Sequence, residues 1–114
     1  MMFVKRRNMS AVNLFQELPS HIGKTVTTGF SDGSTMQWEV VDEIRKNEDE
    51  EKIFVLQRLR QKADAKQEML RFGYYIIGKK PKMKDKWTWG QYCPFVSAED
   101  FAVIVKEAQS RKWI

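Results

Sequence analysis

Trp87 and Trp89 stand two residues apart, directly behind a run in which Lys79, Lys80, Lys82, Lys84 and Lys86 meet a single acid, Asp85. Lysine ammoniums satisfy phosphates as mobile point charges, and flat rings offer bases or sugars a stacking surface that accepts any sequence. Side chains two apart on a strand project from one sheet face, so this pair has the spacing of adjacent stacked groups. Tyr92 extends the aromatic set, and Arg58, Arg60 and Arg71 flank it along the chain. The chemistry such a pattern suits is binding of single-stranded nucleic acid or structured RNA. Two other readings stand beside it. Tryptophans on one strand face also make a core beneath a helix, and lysines at a hairpin tip also keep a sheet edge from pairing with a neighbour. No sequence signature of a known nucleic-acid-binding module accompanies the lysines.

Catalysis has little material to work with. His21 is the only histidine and Cys93 the only cysteine, and nothing in the sequence brings the two together. His21 reads as a loop residue, and Cys93, before Pro94, as a small buried hydrophobe. Zinc is excluded because no cluster of cysteine and histidine ligands exists. Glu48, Asp49, Glu50 and Glu51 supply carboxylates for a divalent cation, but they fall where a hairpin turns. Metal-dependent hydrolysis needs carboxylates from convergent rigid elements, so a solvated acidic turn is the better reading. Gly23, Lys24 and Thr25 repeat the end of a phosphate-binding loop, yet Leu18 stands where its first glycine belongs. The expectation is therefore a protein that is not an enzyme and holds no metal or cofactor.

The elements that position these residues follow from periodicity and turn chemistry. The chain has 114 residues, enough for one domain with its own core, and is 42% hydrophobic and 31% charged, a balance that argues against disorder. A lone cysteine excludes an internal disulfide and points to a reducing compartment, the cytoplasm. No run is long and apolar enough to span a membrane, and no signal-peptide pattern follows the basic start. The net charge is +5, unevenly spread: residues 58–86 hold ten Lys and Arg against three Asp and Glu, whereas residues 39–52 hold seven acids against three bases. Concentrated positive charge draws polyanions.

Residues 1–7 read as a basic arm or an edge strand. Ala11, Leu14, Phe15 and Leu18 share one helical face, which predicts a short helix at 10–18 capped by Ser10 and closed before Pro19. Strands follow over 24–93. Asp32-Gly33 marks the first hairpin, and Met36, Trp38 and Val40 alternate with polar residues. The doublet Val40-Val41 breaks that alternation, and a β-bulge there returns Ile44 to the core face. Residues 53–60 and 70–78 continue the sheet, with 61–68 a polar loop or a continuation of the hairpin arms. The latter strand sets Leu70, Phe72, Tyr74 and Ile76 on one face and Met69, Tyr75 and Ile77 on the other. A last strand spans 87–93.

Ser97 caps a C-terminal helix at 97–111 whose packing stripe is Phe101, Ile104, Val105 and Ala108, and Trp113 and Ile114 fold back onto the core. The whole is a single α+β domain, 1–114: a short N-terminal helix, about five antiparallel strands in meander order, curled in the manner of a small SH3-like barrel, and a C-terminal helix packed on the sheet. Its expected role is nucleic-acid binding through the lysine and aromatic hairpin. A protein-interaction or regulatory subunit is the alternative, with metal-dependent hydrolysis third.

Overall fold

Branched and aromatic side chains favour extended backbone, and they recur here in blocks separated by turn residues. A computed structural model describes residues 17–78, 85–90 and 93–114. The blocks form β1 (Thr25–Gly29), β2 (Thr35–Asp49), β3 (Lys52–Gln61), β4 (Glu68–Ile77) and β5 (Trp87–Trp89), followed by helix α1 (Ala98–Ser110). Each strand pairs antiparallel with the next in sequence, giving one five-stranded curled sheet in the order β1-β2-β3-β4-β5. It is a half-barrel: the linear order leaves β1 and β5 as edges, and the closure of a true barrel is not reached.

The turns are built from the residues expected to build them. Gly33 takes φ 89°, and the Asp32 carboxylate accepts hydrogen bonds from the Ser34 amide at 2.9 Å and the Ser34 hydroxyl at 2.6 Å. The loop is longer than a two-residue hairpin turn, running from Gly29 to Thr35. Glu50 and Glu51 form the turn between β2 and β3. The register of β2 on β3 slips between Val40 and Asp42, so Val41 is the extra residue and Ile44 does reach the core. The polar stretch after Gln61 is a loop that ends where β4 begins at Glu68.

Strict alternation on β3 divides the core in two. Phe54 turns toward α1 and joins Ile44, Tyr74, Ile104 and Ala108, with Leu56, Phe72, Val96 and Trp113 packed around them. Ile53 and Val55 face away from the helix with Leu18, Trp87 and Trp89, and beyond them Leu59 joins Trp38 and Val40. The Ser97 hydroxyl accepts from the Asp100 amide at 3.0 Å and starts α1. The helix then packs on β2.

Several expectations change. The N-terminal helix lies almost wholly outside the described residues, and its last two positions, Glu17 and Leu18, are not helical. The last strand stops at Trp89 instead of reaching Cys93, and the Cys93 side chain is exposed, not buried. Trp113 folds back as expected, but Ile114 remains 61% exposed. In the helix stripe Ile104 and Ala108 are buried, whereas Phe101 stays on the rim, its ring edge-on to Phe72. Trp87 and Trp89 do not lie beneath α1, because the parity of β5 on β4 turns them to the opposite face.

Candidate functional site

The face away from α1 carries a band of polar side chains between its two apolar clusters. Its assembly begins with Arg45, which donates to the Leu18 carbonyl at 2.6 Å and to the Pro19 carbonyl. That clamp, with Leu18 buried against Ile53 and Val55, holds the chain entering β1 against the sheet. His21 is thereby laid flat on Tyr75, ring centroids 4.7 Å apart and planes 14° from parallel.

Beneath His21, Glu43 receives Arg45 Nε at 3.0 Å and the side-chain amide of Gln57 at 2.9 Å. Gln57 is 1% exposed, the most deeply buried polar side chain described. His21 Nδ1 lies 3.5 Å from Glu43 and makes no hydrogen bond. Burial pushes the His21 pKa below its ordinary value, against the opposing pull of Glu43. The imidazole is therefore neutral at pH 7, and the contact with Glu43 is not an ion pair there.

Arg71 sits across from Gln57 on β4, and its guanidinium lies over the Trp89 ring, 3.8 Å from the centroid. Gly73 makes room for this. A Cβ at Gly73 would stand 2.3 Å from two atoms of the Trp89 ring, closer than carbon atoms pack. Trp89 thus lies across Gly73 with Arg71 over its ring and Tyr75 edge-on at 5.1 Å. Desolvation lowers the Arg71 pKa and raises that of Tyr75. A guanidinium nonetheless stays charged at any physiological pH.

The other described arginines each meet a carboxylate. Arg58 and Arg60 both reach Glu68, at 2.9 and 3.3 Å; Arg45 is paired with Glu43; and Arg111 meets Asp42 and Glu107 at 3.2 and 2.8 Å. Among the described residues, no carboxylate faces Arg71 in this way.

The residues marked out by sequence are distributed as follows. Arg71, Trp87 and Trp89 come together on the face away from the helix. Arg58 and Arg60 do not join them, since they alternate with Gln57 and Leu59 and face the α1 side with Glu68. Lys86 is exposed just before β5. Lys79, Lys80, Lys82, Lys84 and Tyr92 lie outside the described residues. Trp87 and Trp89 are half-buried, and Trp89 serves as a bed for Arg71, not as a bare platform.

Sequence reasoning missed His21, Tyr75 and Gln57, which meet only because distant segments pair. Two depressions flank Arg71. One, of about 290 Å³, is a polar cleft that includes His21, Lys24, Gln57 and Tyr75; the other, of about 670 Å³, is an apolar groove running toward Phe30 and Trp38. Among the described residues no group of three or more His, Cys, Asp or Glu is placed to hold a metal ion, and no helix is long and apolar enough to cross a membrane. No family model, curated protein or solved structure matches this chain significantly.

Proposed function

We propose that the chain is a binding module for single-stranded nucleic acid, and that the sheet face away from α1 is its contact surface. The observation that carries this reading is Arg71: half-buried, stacked on Trp89 and unmatched by any carboxylate among the described residues. A cation withdrawn from water without a counter-charge has the most to gain from an incoming anion. Its planar fork matches two oxygens of one phosphate, which a lysine cannot do. Lys24 at the cleft and Lys86 before β5 add positive charge, and the lysines at 79, 80, 82 and 84 are Lys86's neighbours in sequence. Arg58 and Arg60 are left out of the surface, because they face the α1 side, where they share Glu68.

The test is fluorescence anisotropy of labelled oligouridylate and oligothymidylate at low salt, with Arg71→Ala and Arg71→Lys beside the wild type. Arg71→Ala is expected to weaken binding by about tenfold, the value of one charge-assisted contact, and Arg71→Lys to recover only part of it. Failure of the wild-type protein to bind either strand would sink the reading.

A second reading has its own observation. Phe95, Phe101 and Val103 are 87%, 45% and 48% exposed on and beside α1, a placement that suits a protein partner on that side. An association that survives high salt and is lost in Phe95→Ser with Phe101→Ser would favour it.

A further inference from the structure

The polar cleft accounts for a phosphate but offers no seat for a base. Tyr75 is already covered by His21, and Trp89 is covered by Arg71 and pressed on Gly73. The aromatic rings closest to Arg71 are therefore committed to holding one another. The groove on the other side of Arg71 is not so filled.

Its floor is Trp38, 6% exposed, and Leu59, 3% exposed. Its walls come from two strands and a loop: Phe30 after β1, Met36 on β2 and Met69 on β4, with Phe30 and Met69 51% and 58% exposed. Among the described residues no carboxylate lines it, and Arg71 is the only charged one that does. Arg71 is also a wall of the polar cleft, so one side chain joins the two depressions. Met69 is two residues from Arg71 on the same sheet face, about 7 Å along the strand. A ligand that spans both must be flat and apolar at one end and anionic at the other. Gln61 also lines the groove; one N–H of its side-chain amide donates to Met36 Sδ at 2.7 Å, and the amide's second N–H and its carbonyl are the groups that a base edge would meet.

Resting on the nucleic-acid reading above, we infer that this groove seats one unstacked nucleobase whose neighbouring phosphate lies on Arg71. The charge pattern selects this occupant: an uncharged groove ending at an unmatched guanidinium complements an anion with an apolar plane, and repels a cation. Methionine walls yield to different ring shapes, so the pocket takes purines and pyrimidines alike. Trp89 then contributes indirectly, by holding Arg71 between base and phosphate.

The test compares a fluorescein-labelled oligothymidylate with a strand of equal length that is abasic at every position, against the wild type and Phe30→Ala/Met69→Ala. Both substitutions are at exposed side chains, and far-UV circular dichroism checks the fold. The wild type is expected to prefer the thymidylate by about tenfold, and the double variant by about twofold, the scale of one base's stacking contribution. An unchanged preference in the double variant would put the base elsewhere and overturn the inference, leaving the proposed function standing. Equal binding of the two strands by the wild type would do the same. Binding of neither strand would overturn both. Sedimentation provides the remaining arm: a wild-type dimer that the double variant dissociates would show that a second copy of the chain covers the groove, against the inference.

Discussion

Gly73 is the residue on which the Arg71 arrangement depends most directly. The Trp89 ring occupies the space of the missing side chain, and a rigid indole cannot bend aside as a lysine would. Gly73→Ala is expected to lose about 1–3 kcal/mol, the usual cost of overpacking, and to shift tryptophan emission as Trp89 is displaced; urea unfolding and fluorescence spectra check both, and an unshifted spectrum would contradict the geometry. Gly90 stands in the same relation to Tyr74, whose ring would lie 2.0 Å from an added Cβ. His21 gives a second residue-scale expectation, through pH. Its folded pKa is lowered from the ordinary 6.5 by burial, Arg45 and Lys24 acting with burial and Glu43 against it. Protons then favour the unfolded chain, so the stability linked to His21 is complete above pH 6.5 and is lost as pH falls from there toward the lowered value. Denaturant midpoints across that range should decline in the wild type and decline less in His21→Gln; equal slopes would show that the imidazole is not desolvated. Neither feature was legible beforehand. A single loop histidine carries no periodic signal, and a glycine within an aromatic run does not say which ring will cross it.

The strands themselves were legible, because alternation and turn chemistry act over a few neighbouring residues. The valine doublet is the clearest case: with Val41 as the bulge, Val40 faces Leu59 on the open side and Ile44 turns to α1. Deleting Val41 removes the surplus residue and leaves the pairing on either side intact, with Val40 opposite Leu59 and Asp42 opposite Arg58. Glu43 stays beside Gln57 and Ile44 stays turned to α1, and only the local bend of the bulge is lost. The expected result is a protein that keeps a cooperative thermal transition, seen by circular dichroism, whereas loss of that transition would mean that the bend itself is needed to seat the helix. Ser97→Ala, at the start of α1, removes one cap and should cost only about 1 kcal/mol. What periodicity did not reveal is which of two sheet faces a given strand offers to the helix. That depends on long-range register: Gln57 opposite Arg71, and Arg58 opposite Leu70. Arg58 and Arg71 look equivalent in sequence, both basic and both beside apolar residues. Pairing sends one toward Glu68 and the other onto Trp89.

For the molecule as a whole, this division of arginines separates two kinds of surface that net charge alone merges. On the α1 side Lys46 meets Asp100 at 3.4 Å, Arg58 and Arg60 share Glu68, and Arg111 meets Asp42. Such pairs at a surface contribute little to stability, and each carboxylate offsets charge that a polyanion would otherwise meet. The opposite side presents Arg71 unmatched. If phosphate is bound there, the salt dependence of binding identifies the side. For a single strand, the logarithm of the binding constant falls with the logarithm of salt concentration by about 0.7 for each phosphate neutralised. Arg71→Ala should therefore weaken binding and also flatten that slope by about 0.7, the signature of one lost phosphate contact. Arg58→Ala removes the same formal charge from the protein, yet it should leave the slope unchanged, because its guanidinium is spent on Glu68 and faces the helix side. Equal flattening by the two substitutions would mean that the strand responds to overall charge, and that the two faces of the sheet are not distinguished by what they bind.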